Sequence, residues 1–312
     1  MIPAVQEHSK VVTSLAKRGL RAAGYYGVRL RGTAFPGIAA LCYHGIFDGD
    51  RARLPFEALH LESSQFEAHC RTIAAHCSPV SMGDVIDAIE NGRRLPPRPV
   101  LVTFDDGYRS VFTKALPILA RYQVPATVFV STDAVERQEL FWFDAAHPRL
   151  GDPGVRSLSR ASFPEWAQAV ERLRTPAATN ALLAPVSIDE LRALAAHPLV
   201  EIGGHTASHP SLKLTPVEEL HREIVDNRGT LERWLDRPMR AFAYPYGDPE
   251  RDYSVEAIAA VRRAGYQCAF STASAFASPS GDRWQLPRFV MLNGIDEAEL
   301  LHRLTHSWHR TV

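Results

Sequence analysis

From residue 38 onward, short apolar runs alternate with segments whose apolar residues recur at helical spacing. Runs of this kind, bounded by polar residues, glycine or proline, predict buried strands at 38–43, 100–104, 126–130, 199–202, 241–244 and 268–271. Ser187 followed three residues later by Glu190 is a capping box that predicts the start of one of the helices between them. Repeated strand-helix units of this type build a parallel sheet covered by helices. The sequence therefore predicts an α/β fold built around a parallel sheet.

Two segments depart from this alternation. Residues from about 140 to 198 are rich in proline, arginine and alanine, and we expect them to form a helical insertion in a barrel domain that covers 36–312. Residues 1–35 form a basic amphipathic segment. It contains one acid, Glu7, and six basic residues, which are Lys10, Lys17, Arg18, Arg21, Arg29 and Arg31. Such a helix either contacts a membrane surface or a partner, or packs on the outside of the domain with its basic face in water.

Composition narrows the class of protein. The 312 residues are 46% apolar and carry 35 basic and 35 acidic side chains, which is typical of a folded globular protein and argues against a nucleic-acid partner. Apolar stretches fall short of the roughly 20 residues that a membrane span needs, and the first thirty residues lack the pattern of a secretory signal. We therefore expect a cytoplasmic location. The four cysteines have no C-x-x-C spacing and are expected to be reduced and structural.

The strand predicted at 100–104 ends in two adjacent carboxylates, Asp105 and Asp106, followed by Gly107. Two charges at the end of a buried strand are costly unless they are paired or bound to a metal. Alternatively, one aspartate caps the following helix and the other faces water. The segment is thus either a functional site or an ordinary start of a helix.

The strand predicted at 199–202 leads through Gly203 and Gly204 to His205 and His209. Histidines four residues apart on one helical turn point the same way, as two ligands of a zinc ion would. Such a pair also arises by chance in a chain with 13 histidines. Together with the aspartates, however, the pair forms a two-histidine, one-carboxylate set with positions open for water and substrate.

Two further strand ends carry candidate groups. The turn Tyr244-Pro-Tyr-Gly247 can direct the backbone N–H of Tyr246 at a developing oxyanion, although alone it is an ordinary exit from a strand. His44 follows the first strand, where a histidine can equally be a core or capping residue. Because the loops after the strands of a β/α barrel converge at one face, we expect all four sets of residues to meet in one site.

Three of these segments resemble the first three motifs of the polysaccharide deacetylases, the NodB-homology family. They are Thr103-Phe-Asp-Asp-Gly107, His205-Thr-Ala-Ser-His209 and Phe242-Ala-Tyr-Pro-Tyr-Gly247, and the resemblance in order and spacing extends over about 38–290. It implies a distorted (β/α) barrel and metal-dependent removal of N-acetyl groups from amino sugars, commonly with zinc. Residue by residue, it implies that Asp105 is the general base, that the Tyr246 N–H stabilises the oxyanion, and that the metal ligands are Asp106, His205 and His209.

The resemblance is incomplete at the general acid and at one arginine. Leu300-Leu-His302 fits the family's late Leu-x-His motif in letters, but the residues around it predict a helix. A subgroup similar to the PgaB and IcaB proteins carries an early Tyr-His instead, which Tyr43-His44 resembles, so we expect His44 to be the acid. The arginine of the third motif is replaced by Ala243. Arg288 is expected to orient Asp105 in its place, unless it forms only a surface salt bridge.

The predicted function is hydrolysis of the N-acetyl group of an amino sugar in a polysaccharide, an oligosaccharide or a glycan precursor. Zinc or another divalent transition metal is the expected cofactor, and an N-acetylated glycan is the expected partner. The basic N-terminal helix would allow peripheral membrane contact. Trp142, Trp166 and Trp284 either stack on sugar rings or pack in the core. Two alternatives stay open: a hydrolase of a non-sugar amide on the same scaffold, and an inactive carbohydrate-binding homologue.

Overall fold

A curled parallel sheet forms the centre of the molecule in the computed structural model, which describes residues 15–49 and 54–307. Eight strands are hydrogen-bonded in the order β10-β1-β5-β6-β7-β8-β9, with β4 alongside β5, and every pair is parallel. A separate parallel pair is formed by β2 and β3. The strands are β1 Ala39–Tyr43, β2 Ile46–Phe47, β3 Leu61–Glu62, β4 Ser78–Pro79, β5 Pro99–Phe104, β6 Ala126–Val130, β7 Val200–Gly204, β8 Ala241–Ala243, β9 Cys268–Phe270 and β10 Phe289–Val290.

The segment 286–290 closes the sheet into a distorted barrel. Leu286 forms a parallel bridge with Phe270 of β9, and a few residues later Phe289 and Val290 pair with Leu41 and Cys42 of β1. The predicted barrel fold and all six predicted strands are confirmed. The short strands β2, β3, β4 and β10 were not predicted, because two-residue strands leave no periodic signal in the sequence.

Alternate residues of each strand face opposite sides of the sheet. In β5, Val100, Val102 and Phe104 pack against the surrounding helices. Leu101 packs inside the barrel with Phe129 and Phe270. Apolar residues of the helix Met82–Asn91 close the interior at the end of the barrel that lies away from the carboxyl ends of the strands. Thr103 and Asp105 continue the inward-facing row toward the carboxyl end of the strands, so the sheet itself places Asp105 in the barrel mouth.

Helices surround the sheet and cover its carboxyl end. Ser187 caps one of them as predicted, because its hydroxyl accepts a hydrogen bond from the Glu190 N–H. The α-helices that begin and end within the described residues are Tyr25–Arg31, Ser63–His76, Met82–Asn91, Leu116–Tyr122, Thr132–Arg137, Trp142–Leu158, Phe163–Leu173, Ile188–Ala196, Asn227–Leu235, Val255–Arg263 and Glu297–His302. Single π-helical turns adjoin three of them, at Val111–Ala115, His221–Asp226 and Arg303–Ser307, and 3-10 turns lie at Glu57–Leu59 and Ala177–Thr179.

The predicted insertion contributes most of a second apolar cluster. Its helices Trp142–Leu158, which is kinked at Gly151, and Phe163–Leu173 pack together through Trp142 and Trp166. This cluster includes Tyr108, which lies four residues after the end of β5. The insertion therefore lies against the end of the barrel where the predicted site residues are found. The domain boundaries at 35 and 36 and the insertion limits of 140–198 stay predictions.

The described part of the basic segment packs against the C-terminal helix Glu297–His302 and its N-cap. Lys17, Arg18 and Arg21 form ion pairs with Glu299, Asp296 and Glu297 at 2.5, 3.0 and 2.5 Å. Tyr26 and Leu30 are buried in the main core. Lys10 and the other residues of 1–14 lie outside the described part of the chain. Among the helices of residues 15–49 and 54–307, none has the length and apolar character needed to cross a membrane.

Candidate active site

Asp106, His205 and His209 meet at the carboxyl end of the barrel. The Asp106 Oδ1 atom lies 3.5 Å from His205 Nε2 and 3.3 Å from His209 Nε2, and all three side chains are buried. Ligand atoms at about 2.1 Å from a tetrahedral ion are about 3.4 Å apart, so both distances from Asp106 fit a zinc-sized cation. The three ligand atoms all lie within 4.8 Å of one another. Burial alone would raise the pKa of Asp106, but the neighbouring histidines hold it well below its usual value. The carboxylate is therefore ionised, as a metal ligand must be.

The histidines are held by a strained loop rather than by the predicted helical turn. Thr206 and His209 have φ of 66° and 62°, and Asp106 has φ of 72°, all in the left-handed region that non-glycine residues rarely adopt. The Asn227 amide stabilises the loop by donating to the carbonyl oxygens of Val130 and Thr206. The two rings do lie close together, as the four-residue spacing predicted, but a loop with left-handed residues positions them instead of a helical turn.

A hydrogen bond to the backbone orients the ring of His205. Its Nδ1 atom lies 2.8 Å from the carbonyl oxygen of Ala243, to which it donates. This bond fixes the tautomer and leaves Nε2 as the lone-pair donor, an arrangement common in metal-binding histidines. Burial lowers the pKa of His209, which favours the neutral ring that can bind a metal. Burial also acts to lower the pKa of His205, but the charges of Asp105 and Asp106 outweigh it and raise that pKa.

Asp105 faces the same space and is paired with Arg288. The guanidinium donates to both carboxylate oxygens, at 2.6 and 2.8 Å, and also to Thr103 Oγ1 at 3.2 Å. Because Arg288 is completely buried, this contact is an internal ion pair and not a surface salt bridge. Burial raises the pKa of Asp105, but the charge of Arg288 outweighs it and lowers the pKa below its usual value. The Cys42 thiol is 3.4 Å from Asp105 Oδ2 and adds a weaker contact.

A cavity of about 330 Å³ joins all the predicted site residues except Arg288, which lies behind Asp105. Its lining includes His44, Asp105, Asp106, His205, His209 and Tyr246. The His44 Nδ1 atom is buried and has no hydrogen-bond partner among the described residues. Tyr246 has φ of 60° and places its ring 4.9 Å from that of His209, so its backbone turns at the edge of the site.

Comparison with known proteins agrees with this geometry. Residues 92–269 match the family model for polysaccharide deacetylases. This chain belongs to the polysaccharide deacetylase family.

Two poly-β-1,6-N-acetyl-D-glucosamine N-deacetylases are among the relatives that this chain resembles in sequence. The poly-β-1,6-N-acetyl-D-glucosamine N-deacetylase of Escherichia coli (strain K12) is 26% identical over 220 residues, which are 69% of this chain and 31% of that protein. This chain thus spans about a third of the length of that relative. The enzyme of the same name from Staphylococcus epidermidis is 22% identical over 73% of this chain and 67% of its own length.

Two solved structures share the fold. The deacetylase PplD of Streptococcus pyogenes, in complex with acetate, superimposes with a TM-score of 0.64 at 20% identity and covers 87% of this chain and 99% of its own. IcaB of Ammonifex degensii gives a TM-score of 0.62 at 18% identity, with coverage of 86% and 97%. The predicted family and its barrel fold are confirmed.

His302, the other candidate acid, does not line the active-site cavity. Its Nδ1 atom is 3.2 Å from the hydroxyl of Tyr26, and its ring stacks on that of His306. His302 belongs to the helix Glu297–His302, as the residues around it predicted. Of the two candidate acids, only His44 lines the cavity.

Three polar residues of the site region were not predicted. His60 lines the cavity with its ring 5.3 Å from that of Tyr108, and burial, assisted by the charge of His44, lowers the pKa of His60 to about 4. The Tyr108 hydroxyl donates to Asp144 Oδ2 at 2.8 Å. Burial raises the pKa of Asp144 well above its usual value. No sequence signal marks His60: its ring packs against Gly45, where a Cβ atom would collide with it, and this contact is seen only in the structure.

Proposed function

We propose that this protein is a metal-dependent N-deacetylase that hydrolyses the N-acetyl group of an amino sugar in a glycan. The observation that carries the proposal is the close approach of Asp106 Oδ1 to the Nε2 atoms of His205 and His209, at 3.5 and 3.3 Å, beside the ionised carboxylate of Asp105. These groups open into a cavity of about 330 Å³, within the size range of sites that bind small ligands. The names of the relatives from E. coli and S. epidermidis support an N-acetylglucosamine polymer as the substrate class.

When bound by the three ligands, the cation supplies a Lewis acid that lowers the pKa of water and polarises the amide carbonyl. Asp105 accepts the proton of the water that attacks the acetyl carbon, while Arg288 holds the carboxylate in place. The backbone N–H of Tyr246 stabilises the oxyanion that develops on the carbonyl oxygen. His44 then donates a proton to the sugar nitrogen as the C–N bond breaks, which yields acetate and a free amine.

Zinc is the proposed metal, because the three donors are those of open zinc sites, although cobalt, nickel and iron accept the same set. The proposed location is the cytoplasm, with peripheral membrane contact through the N-terminal segment. In the described part of that segment, Lys17, Arg18 and Arg21 already form ion pairs with acidic side chains of this protein. Membrane contact therefore depends on residues 1–14 or on Arg29 and Arg31.

Acetate release by the zinc-loaded chain tests the proposal. The substrates are β-1,6-linked N-acetylglucosamine oligosaccharides and, for comparison, small cyclic amides. We expect release from the sugars, and a reduction by about 10²- to 10⁴-fold in Asp105→Asn because the general base is lost. Asp189→Asn is the control, since that side chain is 90% exposed on a distant helix and should leave the rate unchanged.

Undiminished activity in the Asp105 variant would contradict the mechanism. Oligosaccharide binding without any acetate release would favour the inactive carbohydrate-binding homologue. Release from the cyclic amides alone would favour the non-sugar amide hydrolase.

A further inference from the structure

The turn before the helix Asn227–Leu235 contacts the loop that carries His205 and His209, and the proposed mechanism gives this turn no role. The turn, His221–Asp226, is π-helical, a conformation that occurs mostly as single turns and frequently at functional sites. It carries Glu223, whose carboxylate side chain is completely buried. A buried carboxylate is costly unless it is paired and hydrogen-bonded, so the partners of Glu223 indicate what this turn holds in place.

Glu223 binds Ser208, which directly precedes His209 in the chain. Its Oε2 atom accepts a hydrogen bond from the Ser208 backbone N–H at 2.9 Å, and its Oε1 atom accepts one from the Ser208 hydroxyl at 2.7 Å. The carbonyl oxygen of Glu223 accepts a third hydrogen bond, from the Ala207 N–H at 3.0 Å. One residue thus forms three hydrogen bonds to two consecutive residues of the loop 205–209.

Two further charged residues fix the Glu223 carboxylate. Arg222 donates to Glu223 Oε1 at 2.5 Å and to Asp133 Oδ2 at 2.5 Å. The Asp133 N–H donates to the carbonyl oxygen of Ala207 at 2.8 Å, so these contacts return to the loop that Glu223 binds. Because Arg222 and Asp133 restrain it, the Glu223 carboxylate has little freedom to follow the loop if the loop moves.

The loop depends on such restraint, because Thr206 and His209 have positive φ of 66° and 62°. Residues other than glycine keep this conformation only where the surrounding structure imposes it. If Ser208 were released, His209 would relax toward an ordinary backbone conformation, and its Nε2 atom would leave its position 3.3 Å from Asp106 Oδ1. The contacts of Ser208 therefore control the geometry of the proposed metal ligands.

We propose that Glu223 is a positioning residue of the metal site, which acts through Ser208 to keep His209 directed at the cation. The proposal rests on the metal binding of the proposed function and is independent of the identity of the substrate. Glu223 does not line the active-site cavity, so we expect it to act on metal binding and not on substrate binding.

Zinc titration of the metal-free chain, in competition with a chromophoric chelator, tests this role. Glu223→Gln keeps the shape of the side chain, but its NH2 group must face another donor, either the Ser208 N–H or Arg222. We expect this variant to bind zinc about tenfold more weakly, as is typical when a partner behind the ligands is lost. Ser208→Ala loses only the hydroxyl contact and should weaken zinc binding about threefold.

Glu232→Gln is the matched control. Glu232 also accepts hydrogen bonds from an arginine, Arg228, at 2.7 Å and from a backbone N–H, that of Met239, at 3.0 Å. Neither of these partners belongs to the loop 205–209. We expect Glu232→Gln to bind zinc like the wild type, and urea unfolding of the metal-free variants measures any general loss of stability.

A double-mutant cycle tests whether Glu223 acts through Ser208. The effects of Glu223→Gln and Ser208→Ala on zinc affinity should be less than additive, because both variants disrupt the same contact. Additive effects, or wild-type zinc affinity in Glu223→Gln even with reduced stability, would overturn the positioning role. If Glu223→Gln does not fold, Ser208→Ala decides, and zinc affinity equal to that of Glu232→Gln would then overturn it.

Acetate release by the wild-type chain is measured separately, since zinc affinity is determined without any substrate. A chain that releases no acetate, but whose zinc affinity falls in Glu223→Gln and not in Glu232→Gln, would preserve the role of Glu223 while contradicting the proposed function. Acetate release by the wild type together with unchanged zinc affinity in Glu223→Gln would overturn the role of Glu223 alone.

Discussion

Arg288 binds the Asp105 carboxylate with two hydrogen bonds while its own side chain is completely buried. Removing the guanidinium would leave a buried carboxylate without its partner. We therefore expect Arg288→Ala to lower the free energy of unfolding by about 3–5 kcal/mol, as measured by urea denaturation.

Arg283→Ala is the control for this stability measurement. Arg283 pairs with Glu90 at 3.1 Å, but its side chain is 38% exposed. Exposed pairs contribute about 0–1 kcal/mol, so the loss should be small. A similar loss in both variants would show that the Arg288–Asp105 pair has no special role in stability.

The two candidate acids are separated by their positions. His44 lines the cavity, whereas His302 packs against Tyr26 and His306 outside it. We expect His44→Ala to reduce kcat for acetate release by about 10²- to 10⁴-fold and His302→Ala to leave kcat unchanged. The opposite result in a steady-state assay would assign the acid to His302.

At the scale of elements, the buried His69 connects the helix Ser63–His76 to the loop before the C-terminal helix. Its ring donates from Nε2 to the Ile295 carbonyl at 2.6 Å and accepts at Nδ1 from the Tyr43 hydroxyl. These two contacts satisfy a neutral ring, and burial away from water disfavours the charged ring. Burial accordingly lowers the pKa of His69 from 6.5 to about 4.

This shift predicts acid sensitivity. Between pH 6.5 and 4 the unfolded chain binds a proton at His69 that the folded chain does not, so the free energy of unfolding should fall as the pH is lowered through this range. The total contribution is about 3 kcal/mol. Measured by urea unfolding against pH, His69→Gln should show a shallower fall, whereas the exposed His221→Gln should follow the wild type. Identical slopes in all three proteins would refute the assignment.

The sequence predicted the longer elements better than their connections. Six strands could be recognised because each is a continuous apolar run between polar boundaries. The conformation of the 205–209 loop could not, because its left-handed residues are stabilised by distant groups such as the Asn227 amide. His60 was missed for a related reason: it reaches the cavity through packing against Gly45 and Tyr108, and no local motif marks it.

At the scale of the whole molecule, metal binding should stabilise the fold. The three proposed ligands, Asp106, His205 and His209, follow two different strands, β5 and β7, so a shared cation would link distant parts of the chain. A ligand present at a thousand times its Kd stabilises the folded state by about 4 kcal/mol. We expect chelation to lower the thermal unfolding midpoint and added zinc to restore it.

Asp106→Asn should remove this response to zinc, and Asp189→Asn on the surface should retain it. Equal midpoints with and without zinc in the wild-type chain would contradict a metal site at these residues.

The segment 286–290 contacts β9 through Leu286 and β1 through Phe289 and Val290, and Arg288 lies between these contacts. Since neighbouring side chains of an extended segment point to opposite faces, a slip of one residue would turn Arg288 out of the interior and bring Pro287 or Phe289 toward Asp105. The same short segment thus closes the barrel and supports Asp105, the proposed general base. Under that proposal, a folding intermediate in which the segment is unpaired would be catalytically silent, even with Asp106, His205 and His209 already brought together.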